Sequence, residues 1–171
     1  MNERGAAVLE AQAGDAVRVL RERGLTIATA ESLTGGLVCA WLTSVPGSSA
    51  VVLGGVVAYA TSAKELLANA PAQVIAAHGA VAEPTAAAMA AGIRSRLGAD
   101  LGVATTGVAG PTQQDGHPPG TVYVALAWSG GQVVRSFAGD ERLSGDRRAV
   151  RAATVRAALE MVSAPGPHLV S

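Results

Sequence analysis

Three short apolar runs, over residues 25–29, 51–59 and 101–106, alternate with stretches of helical spacing, and this alternation narrows the possible folds most. Each run is rich in β-branched residues and short for a helix, so it reads as a buried strand. Ahead of the first, residues 6–23 place Leu9, Ala13, Ala16, Val17 and Leu20 on one helical face, with Arg18, Arg21 and Arg23 off it. Gly24 follows as the natural helix terminator. Between the strands, helices are predicted over 36–44, over 61–68 with Thr61 or Ser62 as cap, from Pro71 to about 77, and over the alanine-rich segment from Glu83 to near Gly98. Pro46-Gly47-Ser48-Ser49 reads as a turn. After a Gly- and Pro-rich loop over 107–120, residues 121–128 and 132–138 read as two strands of a hairpin around Ser129-Gly130-Gly131. Ser144 or Asp146 caps a final helix to about Val162. The predicted fold is α/β: a single-domain three-layer α/β/α arrangement over residues 1–164, with a mixed sheet ending in the C-terminal β-hairpin and a disordered tail over 165–171.

Composition bears on location and partners. The 171 residues suit one domain. No apolar run reaches the length of a membrane span, and no apolar signal core follows Met1-Asn2-Glu3-Arg4, so a cytoplasmic protein away from membranes is expected. Thirteen basic residues balance thirteen acidic ones, which gives no support for nucleic-acid binding. Twelve of the basic residues are arginine and Lys64 is the only lysine. Cys39, the only cysteine, excludes an internal disulfide and a multi-cysteine metal site, and reads as a small core residue. No set of residues has metal-ligand spacing, so no metal is expected.

The chemistry concentrates in Ala30-Glu31-Ser32-Leu33-Thr34-Gly35-Gly36, where a strand gives way to a helix. The glycines allow a ligand close to the backbone. The unpaired N–H groups of a first helical turn favour negative charge and can bind a phosphate or an oxyanion. Helix capping by Ser32 or Thr34 is the alternative. Two further strand ends carry Tyr59, with Lys64 five residues on, and Thr106 followed by Gly107-Val108-Ala109-Gly110-Pro111. In α/β folds, sites gather at such ends. Together they offer a serine nucleophile, a lysine that burial can render neutral, a tyrosine to relay a proton, and backbone donors at Gly35-Gly36 or over 107–110. A Ser-His-Asp triad has no support: His78 precedes a turn, His117 lies in the loop and His168 in the tail. Arg147 and Arg151 share a face at the start of the last helix, where cations oppose the helix dipole, so an anionic ligand or a carboxylate partner is expected for them. A solvated Lys64, a Tyr59 resting on the core and a merely long turn at 107–120 remain the alternatives.

The chain also resembles a known family. Glu31-Ser32, Thr34-Gly35-Gly36, Val45-Pro46-Gly47-Ser48-Ser49, Gly54-Gly55-Val56-Val57, Tyr59, Ala63-Lys64, Gly79-Ala80-Val81, Thr106 to Pro111, Gly120-Thr121-Val122 and Gly145-Asp146-Arg147 occur in the order found in the C-terminal domain of the competence/damage-inducible protein CinA. The resemblance implies a nicotinamide-nucleotide amidohydrolase that converts nicotinamide mononucleotide and water to nicotinate mononucleotide and ammonia. It implies Ser32 as nucleophile and Tyr59 with Lys64 as the proton-handling pair. Expected substrate contacts are Glu31, Thr34, Gly35, Gly36, Thr106, Gly107, Gly110 and, at the phosphate, Arg147. It further implies a homo-oligomer, most simply a dimer, and no cofactor. His117 and Pro119 stand where the family usually has lysine and valine, and many relatives carry an added N-terminal domain. A binding or assembly domain without turnover is the alternative reading.

Overall fold

The computed structural model describes residues 3–164 and 166. Its element order is α1 (Glu3–Arg23), β1 (Ile27–Glu31), α2 (Leu37–Thr43), β2 (Val52–Val57), α3 (Thr61–Leu66), α4 (Ala72–His78), α5 (Glu83–Leu97), β3 (Leu101–Gly107), β4 (Val122–Trp128), β5 (Gly131–Phe137) and α6 (Arg147–Ser163). Short 3-10 turns at Ser48–Ala50 and Gly139–Glu141 complete it. The predicted tail over 165–171 lies outside the described residues apart from Gly166.

The five strands form one mixed sheet in the order β2-β1-β3-β4-β5. β1 pairs in parallel with both β2 and β3, while β3–β4 and β4–β5 are antiparallel. This is the predicted mixed sheet with its hairpin, Trp128 facing Gly131 across the turn. Strand alternation sorts the side chains into two cores. Ile27, Leu101, Val103, Val122, Val124 and Leu126 face α1, α2 and α6, joined by the predicted α1 stripe of Leu9, Ala13, Ala16, Val17 and Leu20. Ala28, Ala30, Ala104, Ala125 and Ala127 face Met89, Ala90 and Ile93 of α5. Small residues on that face let α5 lie almost on the strands: a Cβ at Gly102 would overlap the Ala90 carbonyl oxygen. The alanine-rich composition of α5 follows from this close approach, because larger side chains would hold helix and sheet apart.

Three local expectations need correction. β2 is an edge strand, not a buried one, with Leu53 and Val57 nearly half exposed. A short apolar run does not reveal whether a second neighbour will cover it. The caps differ too: Ala60, not Thr61 or Ser62, begins α3 without a side-chain cap, whereas Asp146 does cap α6 by accepting from the Ala149 N–H. Cys39 is half-buried rather than core, against Thr29 and Gly55, and burial raises its thiol pKa. No helix among the described residues is long and apolar enough to cross a membrane.

Candidate active site

Because β1, β2 and β3 run parallel, their C-terminal ends lie at one edge of the sheet, and the chain segments leaving them meet there. Ser32 directly follows β1 and is tied on both sides. Its N–H donates to the Thr105 carbonyl at 2.9 Å, and the preceding Glu31 carbonyl accepts from the Ala58 N–H at 2.8 Å. The ladder therefore continues past the strand and fixes the serine backbone.

Lys64, on α3, reaches back under β2. Its Nζ donates to Ser32 Oγ at 2.8 Å and to the Ala58 carbonyl at 3.0 Å. Lys64 is 2% exposed and Ser32 7%. No carboxylate pairs with this ammonium among the described residues. Burial without a counter-charge penalises the charged form and lowers the Lys64 pKa to about 8. About a tenth of this lysine is then neutral at pH 7, against well under a thousandth for a solvated one.

A cavity of about 250 Å³ opens over this pair. Leu33, Ala80, Val81, Val108 and Ala109 give it apolar walls, while Tyr59, Thr61, Thr112, Gln113, Gln114 and Arg147 supply polar groups. Thr106, Gly107 and Gly110 line it as expected from the sequence. The Thr106 hydroxyl, however, donates to the Ala80 carbonyl at 2.6 Å and so holds the wall in place. Among the described residues no three of His, Cys, Asp and Glu gather as a metal site.

Four expected contacts are not part of the pocket lining. The Glu31 carboxylate, 1% exposed, points to the opposite face of the sheet and accepts from the N–H groups of Val38 at 2.9 Å and Cys39 at 2.8 Å. These are the first-turn donors of α2. The helix end that the sequence offers as an anion site is thus filled by the protein's own carboxylate. Thr34 is buried, with its Oγ1 2.7 Å from Thr105 Oγ1 and its carbonyl accepting from Arg151 Nη2. Gly35 and Gly36, at φ of 62° and 91°, make the turn from β1 into α2 that a Cβ would strain. They shape the serine's backbone without lining the cavity.

Tyr59 stands at the rim, 60% exposed, and its hydroxyl accepts from Arg147 Nη2 at 2.9 Å. The Ser32–Lys64 contact is direct, so nothing is left for Tyr59 to bridge. Arg147 also donates through Nη1 to the Gly110 carbonyl at 2.9 Å, and so joins the rim of the pocket to the 108–121 loop. Within that loop the N–H of each of Gln114 and His117 bonds the other's carbonyl across Asp115-Gly116, both with positive φ. This two-residue turn brings Gln113 and Gln114 to the cavity, whereas His117 does not line it. Sequence reading missed Gln113, Gln114 and Thr61; the Asp-Gly pair was the signal for the turn.

Comparison with known proteins agrees with this architecture. Residues 9–164 match the pattern of the CinA C-terminal domain. A CinA-like protein of Frankia casuarinae is 50% identical over 149 residues, covering 87% of this chain and 34% of the relative. A CinA-like protein of Geobacter sulfurreducens is 47% identical over 144 residues, covering 84% of this chain and 34% of the relative. The chain therefore spans about a third of the length of these curated relatives. Among solved structures, a competence-damaged protein (CinA) superfamily protein from Klebsiella pneumoniae has a TM-score of 0.85 at 34% identity, covering 91% of this chain and 95% of that one. The competence/damage-inducible protein CihA from Agrobacterium tumefaciens has a TM-score of 0.82 at 37% identity, covering 90% and 92%. The chain belongs to the CinA C-terminal domain family.

Proposed function

We propose that this protein hydrolyses the carboxamide of nicotinamide mononucleotide to nicotinate mononucleotide and ammonia, with Ser32 as nucleophile and Lys64 as its general base. The observation that carries the chemistry is the 2.8 Å contact between Ser32 Oγ and the buried Nζ of the only lysine, whose pKa is lowered to about 8. The family resemblance supports the choice of substrate.

Neutral Lys64 takes the Ser32 proton as Oγ attacks the amide carbon. The oxyanion of the tetrahedral intermediate meets the N–H groups of Ala109 and Gly110, which have no partner among the described residues; that of Val108 is already bonded to the Thr121 carbonyl. Lys64, now an ammonium, protonates the departing nitrogen as the C–N bond breaks and ammonia leaves. Water then attacks the Ser32 ester, with Lys64 again accepting a proton and returning it to Oγ. The apolar walls receive the pyridine ring, and the remaining guanidinium donors of Arg147 receive the phosphate. Tyr59 acts by holding Arg147. The proposed assembly is a homo-oligomer, most simply a dimer, working without a cofactor.

Incubation of the purified protein with nicotinamide mononucleotide tests the reading, with ammonia and nicotinate mononucleotide both quantified. Equimolar appearance of the two is expected, and absence of either above the no-enzyme rate discards the proposal. Tyr59→Phe separates the two roles open to that residue. As an anchor for Arg147, its loss raises KM about threefold and leaves kcat within about twofold, the size of one exposed hydrogen bond. A hundredfold fall in kcat at unchanged KM would instead make Tyr59 the proton relay.

A further inference from the structure

A second cavity lies on the other side of the turn that carries Ser32. It has a volume of about 180 Å³, is bordered by α1, α2 and α6, and opens to solvent. Leu9, Leu37, Trp41 and Val155 give it an aromatic and aliphatic interior, and two guanidinium groups, Arg148 and Arg151, border it.

Both arginines lie in the first two turns of α6, where the helix dipole disfavours cations. Neither makes an ion pair among the described residues. Arg148 is exposed, and the Nε of Arg151 is shielded from solvent yet has no hydrogen-bond partner. Buried donors are ordinarily satisfied, and among the described residues this guanidinium is held through Nη2 alone. The cavity therefore combines a ring-sized apolar space, an indole wall and two uncompensated cations. A cavity of comparable volume in another protein accepts a benzene ring.

We infer that this cavity is a binding site for a small aromatic carboxylate, its ring against Trp41 and its carboxylate on Arg148 and Arg151. The site also touches the catalytic machinery. Arg151 Nη2 donates to the Thr34 carbonyl at 2.8 Å and lies 3.3 Å from the Cβ position of Gly35, in the turn between Ser32 and α2. Leu37 and Trp41 belong to α2 itself. A carboxylate drawn onto Arg151 competes for the guanidinium that braces this turn, so occupancy is read at Thr34 and Gly35.

Benzoate is the probe and benzylammonium its control of equal shape and opposite charge. Calorimetric titration is expected to give a dissociation constant of about 1 mM for benzoate, within reach of so small a ligand. Binding of benzylammonium is expected to be at least about tenfold weaker, because its charge meets two cations. Arg148→Glu, an exposed substitution that spares the fold, weakens benzoate about tenfold, whereas Arg147→Ala leaves that affinity unchanged and so separates this cavity from the catalytic pocket. In amide nitrogen-proton spectra, benzoate moves the Thr34 and Gly35 resonances of the wild type, and the Arg148→Glu protein needs about ten times more benzoate for the same shift. Equal affinity for the two probes, equal affinity of wild type and Arg148→Glu, or Thr34 and Gly35 resonances unmoved at saturation would overturn the proposal. So would protection of Trp41 from acrylamide quenching that grows with protein concentration, since the cavity would then be a contact between copies of the chain.

Discussion

Lys64→Met is expected to lower kcat for nicotinamide mononucleotide by about 10⁴-fold or more, and Ser32→Ala to do the same. The double variant is expected to lose no more than the worse of the two. Serine and lysine act as one unit: without the amine the hydroxyl has no base within reach, and without the hydroxyl the amine has nothing to deprotonate. Losses from such a unit are far from additive. Lys64→Met keeps a long apolar chain in a site that is 2% exposed; it removes a buried amine without a counter-charge but also leaves the buried Ala58 carbonyl without that donor, so the two effects oppose each other and the fold should be retained. Lys64→Arg should fail equally in catalysis, because a guanidinium stays charged near neutral pH and cannot accept the proton. The measurement is steady-state ammonia release by the wild type and the four variants, with circular dichroism to show that each is folded. Multiplying losses would mean that the two residues act in separate steps, and a Lys64→Met protein within tenfold of wild type would remove lysine from the mechanism.

Glu31→Ala carries the second largest effect, on stability first and on activity through it. Its carboxylate accepts from two first-turn N–H groups of α2 in a place that water does not reach freely. Removing it leaves both donors without an acceptor, at about 1–3 kcal/mol for each. A loss of about 4 kcal/mol lowers the melting temperature of a domain this size by roughly 10 °C. Glu31→Gln keeps one carbonyl acceptor and should fall about halfway between. Because α2 and β1 enclose the turn carrying Ser32, the alanine variant should also lose most of its turnover. Urea unfolding followed by circular dichroism, with an unchanged slope, measures the stability term cleanly. An alanine variant as stable as the wild type would show that water satisfies the helix end.

These two residues also show what could and could not be read from the sequence. The convergence of Ser32, Lys64 and the 106–110 segment was legible because each follows an apolar run, and parallel strands put their C-terminal ends together. The α1 stripe and the 128–131 hairpin were legible from local spacing alone, and spacing narrowed the α6 cap to Ser144 or Asp146. The inward turn of Glu31 was not. Its direction depends on strand alternation extending two residues beyond the predicted end of β1, which places it opposite Ser32 and beneath α2. Tyr59 is expected beside Lys64 because it stands at a predicted strand end and the family resemblance implies the two as a proton-handling pair. In the fold β2 ends at Val57, and Tyr59 projects to the rim while α3 carries Lys64 back inside. The edge position of β2 was hidden for a related reason: the Gly54-Gly55 pair and its β-branched neighbours do not reveal how many strands will flank them. Thr34 and the two glycines were read as ligand contacts, yet they serve the turn geometry that delivers the serine.

The proposal that neutral Lys64 activates Ser32 is tested most directly by the pH dependence of kcat/KM for nicotinamide mononucleotide, which reports the free enzyme. The lowered lysine pKa of about 8 sets the sign: the active base is the unprotonated amine, so the rate constant rises about tenfold per pH unit below that value and levels above it. A profile that is flat between about pH 6.5 and 9.5, or that falls as the amine loses its proton, would contradict the account.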